Sequence, residues 1–216
     1  MLTTLIFLLP PGRLKVRLLR LVGHDIDLTA HLGICLVQKV KRFELAPGVR
    51  IGHGNVFRGL TLVRLGRGAT IRRFNWITGD SGRLHENPEQ HMQLQMGAHS
   101  HILSRHFLDC GGGVIMDDDV WITGIHTTIF SHGVDPVNGG IMLEPVRIER
   151  GAMVAMRSTI LPGTTVGTGS FIAAGSVTWS KQVLAEGCLY GGSPARRLSP
   201  IQISDWCYQH NRYPDD

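Results

Sequence analysis

Apolar positions along this chain recur neither at the 3.6-residue period of a helix nor for long at the 2-residue period of a strand. In RIERGAMVAMRSTILPGTTVGTGSFIAAGSVTWS, the residues Ile148, Val154, Ile160, Val166, Ile172 and Thr178 fall every six positions, five of them apolar, with glycine or small polar residues between. One such run decides little, but the spacing returns after interruptions: Leu45, Ile51, Phe57 and Val63; Leu65, Ile71 and Ile77; Met96, Ile102, Leu108 and Val114; Met116, Ile122 and Thr128. A six-residue unit suits a strand of about four residues plus a two-residue corner, with one aliphatic side chain pointing inward. Three units make a triangular coil, and stacked coils about 4.8 Å apart bury a column that no single coil could bury. The periodic region holds about five or six such coils.

Two segments break the period. GDSGRLHENPEQH, near 79–95, is polar and contains Pro88, and GVDPVNGGIMLEP, near 133–145, carries Gly139, Gly140 and two prolines. Both read as excursions from a regular scaffold. The first residues, MLTTLIFLLPPGRLKVRLLRLVGH, hold an apolar run cut by Pro10, Pro11 and Gly12, without a basic leader and too short to span a bilayer. RLKVRLLRL alternates basic and aliphatic residues, so it caps the open end of the core or lies on a membrane surface. The expected organisation is one all-β domain: a helical capping segment over 1–44, the β-helix over 45–182, and a C-terminal segment and tail over 183–216.

Composition narrows this picture. With 216 residues, 43% of them hydrophobic, and no compositional break, the chain can bury one substantial core. Twenty-seven glycines, ten prolines and 6% aromatics require a turn-rich fold. A formal charge of +5 suits a phosphate-bearing ligand or an anionic membrane face. Nucleic acid is excluded as the partner, because the basic residues are dispersed and not interleaved with aromatics. Cys35, Cys110, Cys188 and Cys207 lie far apart with no CxxC pair, which predicts reduced thiols in a cytoplasmic protein, and no metal site.

ILPGTTVG, AAGSV and GGSPARRL, in that order, with SHGVDP upstream of EPVRI, carry a resemblance. The chain resembles the hexapeptide-repeat acyltransferases, which include the maltose and galactoside acetyltransferases and sugar O-acetyltransferases of polysaccharide assembly. SRHFLDCGGGVIMDDDVW and ITGIHTTIFSHG look like the polysaccharide branch. The resemblance implies a left-handed parallel β-helix, a homotrimer and acetyl-CoA as donor; handedness comes from it alone, since parallel crossovers are otherwise right-handed. Glu149 and Ala155 depart from the usual glycine after the inward aliphatic, and VTWSK is one residue longer than the common run to lysine.

On local grounds His132 reads as a solvated histidine at a turn; by motif it aligns with the family's general base, and imidazole is suited to that role at neutral pH. Asp109 matches a carboxylate that holds or polarises the acceptor hydroxyl, against its local reading as a turn aspartate before GGG. The resemblance places the oxyanion-binding backbone N–H at Met156. It sets Ala174, Gly175 and Ser176 beside the pantetheine arm, and Lys181, Arg196 and Arg197 against the phosphates, where their alternative is ordinary surface charge. His106 and His126, if one coil apart, occupy equivalent positions and stack, either as acceptor-binding groups or as a structural ladder. The implied activity is acetyl transfer to a sugar hydroxyl in cell-surface polysaccharide biosynthesis, in the cytoplasm or peripherally at the inner face of the membrane. Two rivals stand beside it: a γ-carbonic-anhydrase-like metalloenzyme using His99, His101 and His106 of AHSHILSRH, and a non-catalytic β-helix that binds or spaces.

Overall fold

The computed structural model describes residues 2–79 and 91–209. The polar segment near 79–95 therefore lies largely outside the described residues. Short parallel strands build three faces of a β-helix, with eight coil strands on the first face, eight on the second, and six on the third. The isolated pairing of Thr159 with Val177 continues the third face by one coil.

The inward columns follow the strand register. On the first face Ile26, Leu45, Leu65, Met96, Met116, Ile148, Val166 and Leu184 are successive partners. On the second, Leu32, Ile51, Ile71, Ile102, Ile122, Val154, Ile172 and Tyr190 stack in the same way. Val37, Phe57, Ile77, Leu108, Ile129 and Ile160 form the third. All of these are buried, and each fully buried aliphatic contributes about 1.5–3 kcal/mol that a lone coil could not retain. Thr178 takes the next inward place as a polar residue, and its hydroxyl oxygen accepts from the Leu161 N–H at 2.9 Å.

The phase slips in the sequence have a simple origin. Val63 and Leu65 lie on one strand, Leu62–Leu65, and Val114 and Met116 on another, Val114–Met116; both members of each pair are buried. Alternate residues of a strand share a face, so two inward side chains on one strand shift the hexad phase by two. The coils begin at Asp25–Ile26, inside the stretch assigned to the cap, and strands continue to Cys188–Gly191 beyond the expected end at 182. That is why there are more coils than five or six: Ile26 and Leu32 keep the hexad spacing, but Val37 follows Leu32 by five residues and hides it.

Helices α1 (Leu2–Phe7) and α2 (Arg13–Leu21) close the first coil, burying Ile6, Phe7, Val16 and Leu19. The Phe7 ring packs on Phe43 at 4.9 Å between centroids. Lys15 is drawn into this cap, where its Nζ donates to the carbonyls of Phe7, Leu9 and Gly33 at 2.8, 3.0 and 2.6 Å. Burial lowers its pKa to about 8, and the three carbonyls compensate for lost water. At the other end Arg196–Pro200 pairs antiparallel with Cys188–Gly191, and Tyr208 returns to donate its hydroxyl to the Gly151 carbonyl at 2.8 Å.

Candidate active site

His132 opens a β-hairpin that leaves the corner between the third and first faces. Its arms, His132–Val134 and Ile141–Leu143, pair antiparallel, and the neck closes where the Glu144 N–H donates to the Ser131 carbonyl at 2.9 Å. The excursion near 133–145 is thus an ordered hairpin. Both of its ends cross Gly112, where an added Cβ would stand 2.2 Å from the Ser131 oxygen and 2.6 Å from the Glu144 nitrogen. Only glycine admits both strands there, which accounts for one residue of CGGG.

Asp109 ends the strand Phe107–Asp109, one coil below Phe130. Its side chain is 5% exposed, against 44% for His132, and the His132 Nδ1 lies 2.5 Å from its Oδ2. Oδ2 also accepts from the backbone N–H groups of Ser131 and His132, each at 3.1 Å, and Oδ1 accepts from Gly111 N–H at 3.1 Å. With three backbone N–H groups already donating to its oxygens, this carboxylate takes its fourth hydrogen bond from Nδ1–H of the imidazole. That tautomer leaves a lone pair on Nε2 of a half-exposed ring, free to take a proton. The sequence proposed His132 and Asp109 separately; the fold joins them.

The other residues divide by corner. Met156, Ala174 and Gly175 lie at the corner between the second and third faces, where the Gly175 N–H donates to the Met156 carbonyl at 3.0 Å. Met156 is half exposed, and its own N–H meets no acceptor among the described residues. GGSPA runs onto the same corner, with Val177 N–H donating to the Gly192 carbonyl at 2.9 Å. Arg196 and Arg197 follow, exposed and free of ion pairs among the described residues. Gly175, at φ +71° with open space around its missing Cβ, is required by its backbone angle and not by crowding within the chain. Ser176 is fully buried and donates to the Ala173 carbonyl at 2.6 Å, so its hydroxyl belongs to the corner itself.

Lys181 is placed elsewhere. Its Nζ pairs with Glu144 at 2.8 Å, an interaction that raises its pKa, and it braces the neck of the hairpin on the His132 corner. A phosphate role beside Arg196 does not follow from this position. Glu144 itself was missed, because nothing in EPVRI marks a side chain that will meet a residue 37 positions later.

His106 and His126 do not stack. The third-face residue follows Ile102 by six positions but Ile122 by seven, so His106 aligns with Thr127 and His126 with Arg105. His126 is exposed on the Met156 corner, whereas His106 is a buried rung. Asn55 Oδ1 accepts from Asn75 N–H, Asn75 Oδ1 accepts from His106 N–H, and His106 Nδ1 accepts from Thr127 N–H, at 2.9, 2.9 and 3.0 Å. Acceptor contact through His106 is therefore withdrawn. Desolvation pushes its pKa down to about 4, below an unfolded value of about 6.5. The unfolded chain then binds the extra proton first, so stability is intact above about pH 6.5 and falls by about 3 kcal/mol as pH drops toward 4. His106→Asn, which copies the rungs at 55 and 75, is expected to remove that acid sensitivity, read as the difference in Tm between neutral and acidic buffer.

The histidines of the metalloenzyme rival are likewise dispersed. His99 sits at the corner between the first and second faces, His101 faces Trp121 on the second, and His106 is the buried rung. They offer no shared coordination sphere among the described residues.

An apolar row borders the Asp109 strand. Leu36, Val56, Trp76 and Phe107 are successive outward partners on the third face, with Trp76 half exposed and Phe107 5.9 Å from Phe130. Arg58, Thr78 and Asp109 form the parallel outward row.

No family model matches the chain, and no curated protein does. Among solved structures it is similar to a variant of AntD, an N-acyltransferase from Bacillus cereus in complex with dTDP-4-amino-4,6-dideoxyglucose and coenzyme A. The TM-score is 0.61 at 18% identity, over 73% of this chain and 83% of that one. A Bacillus cereus protein assigned as an acetyltransferase aligns at TM-score 0.60 and 19% identity, over 82% and 90% of the two chains. A hexapeptide-repeat-containing acetyltransferase from Vibrio cholerae covers 93% of this chain and 88% of its own at TM-score 0.50 and 17% identity. These likenesses establish the fold, a left-handed parallel β-helix of hexapeptide repeats.

Proposed function

We propose that this chain is an acyl-CoA-dependent O-acyltransferase that moves acetyl from acetyl-CoA to a sugar hydroxyl. The observation that carries the reading is the His132–Asp109 pair, a half-exposed imidazole held through Nδ1 by a buried carboxylate. A hydroxyl must lose its proton as it attacks, which is the task such a base performs. His132 Nε2 takes the hydroxyl proton while the oxygen bonds to the thioester carbon. The Met156 N–H receives the oxyanion, and the C–S bond then breaks, the thiolate recovering the proton from Nε2. Asp109 stabilises the imidazolium in between.

The donor corner supports the second substrate. Ala174 and Gly175 leave a smooth edge for the pantetheine arm, and Arg196 and Arg197 are uncommitted cations for its phosphates. Donor corner and base corner lie on opposite edges of the third face, so one chain does not bring them together. A homotrimer, in which the donor edge of one protomer meets the base edge of the next, completes the site and covers the half-exposed Phe74, Trp76 and Met156. The acceptor is a sugar or glycan, in keeping with the sugar nucleotide and coenzyme A held by AntD. The reading extends to cell-surface polysaccharide assembly on the strength of the SHGVDP and HFLDC motifs.

Incubating the protein with acetyl-CoA and nucleotide-linked, lipid-linked or polymeric glycans tests this, read by mass gain of one acetyl group. Amino sugars in the same panel separate O- from N-transfer. Arg196→Ala is expected to weaken acetyl-CoA binding about tenfold by titration calorimetry, the value of one charge-assisted contact. No heat of binding in the unmodified protein would favour a non-catalytic scaffold.

A further inference from the structure

The N-terminal cap presents more apolar surface than closing the core requires. Helices α1 and α2 bury one side against the first coil, yet Leu2, Leu5, Leu14 and Leu21 are 58%, 56%, 68% and 82% exposed. On α2 the helical step of about 100° per residue separates three stripes. Lys15, Val16 and Leu19 face the core. Arg13, Arg17 and Arg20 recur at i, i+4 and i+7, exposed and without salt bridges among the described residues. Leu14 and Leu21 recur seven positions apart and are exposed, while Leu18 between them is half-buried and packs in part against the core.

Charge points to the occupant. Residues 1–24 contain Arg13, Lys15, Arg17 and Arg20 and no carboxylate. Lys15 is spent on carbonyls inside the cap, so the arginine stripe beside the exposed leucines is the outward charge. Leucines flanked by arginines, on two helices that carry no acidic residue, match the boundary between acyl chains and anionic headgroups, with Asp27, which acts electrostatically on Arg20, just beyond them. Among the described residues no helix is long and apolar enough to cross a membrane, so contact through this cap is by lying on it.

We propose that the α1–α2 cap docks on the surface of an anionic lipid bilayer. Because the cap closes one end of the coil stack, the β-helix stands on the membrane by that end. Asp109 lies on the fourth coil, which sets the His132 site roughly 15–20 Å above the cap at about 4.8 Å per coil. In a threefold assembly with parallel stacks, three caps share one plane and bind together.

Cosedimentation of the 216-residue chain with vesicles tests the docking, without acetyl-CoA, so its outcome is separate from that of the catalytic reading. The protein is expected to pellet with phosphatidylcholine vesicles containing phosphatidylglycerol at least tenfold more than with phosphatidylcholine alone, and less as salt is raised. Leu14→Ser with Leu21→Ser is expected to abolish pelleting, and Arg17→Gln with Arg20→Gln to reduce it about tenfold, with Tm unchanged. The arginine pair keeps the test decisive where the leucine pair fails to fold. Failure of the unmodified protein to pellet with anionic vesicles overturns the proposal, as does equal pelleting by both variants. A smaller oligomer for the leucine variant in sedimentation velocity without lipid would also overturn it, assigning the face to a second copy of the chain.

Discussion

Replacing His132 with alanine is expected to lower turnover about a thousandfold, within the usual range for losing a general base. Acetyl-CoA affinity is expected to stay within about twofold, because the base acts mainly in the transition state and the donor corner lies across the third face. The fold tolerates the change. His132 is 44% exposed, and among the described residues its ring makes one hydrogen bond, to Asp109, which keeps three backbone donors. Steady-state kinetics with the acceptor found in the glycan screen, beside calorimetry with acetyl-CoA, gives both quantities. Full activity in the variant would exclude His132 as the base.

Asp109→Asn is expected to cost nearly as much by a different route. An amide can offer its NH2 to the His132 Nδ1, which then accepts and moves the ring proton to Nε2. The base is then protonated where it should be empty, the same tautomer penalty that a serine–histidine–aspartate triad suffers on such a change. The loss is expected to approach a thousandfold in kcat with little change in donor binding. The double variant with His132→Ala is expected to be no worse than either single one, since both remove one function. If the two losses multiply, Asp109 acts independently of His132. Asp109→Ala is a poorer probe: it strands the buried N–H groups of Gly111, Ser131 and His132, at about 1–3 kcal/mol each.

Much of the scaffold was legible because the repeat is written locally. An inward aliphatic every six residues reports a corner and a face wherever it occurs, and Ile148 through Ile172 are the inward residues the pattern named. Thr128 failed as a hexad position because the corner after Ile122 holds one more residue, which turns Ile129 inward. The same extra residue separated His106 from His126. In a strand a one-residue shift exchanges buried and outward sides, so the histidine reading was the most exposed to error. The ion pair of Lys181 was hidden for another reason: its partner Glu144 belongs to the neck of a hairpin whose return point no hexad specifies.

By itself, then, the order of residues determined the six-residue repeat of the coil and most of its inward positions between Leu45 and Ile172, and, by motif, the candidacy of His132. Tertiary structure alone decided which coils lie beside which. Leu45 and Leu65 are partners twenty residues apart, Ile148 and Val166 only eighteen, and two excursions intervene. Register errors accumulate over such unequal turns, whereas hydrogen bonding between coils permits one stacking. That stacking brings Asp109 to His132 across 23 positions and sets Met156 and Gly175 on a separate edge. Each coil is short-range and readable; the site is made by contacts between coils, whose partners depend on every turn length that precedes them.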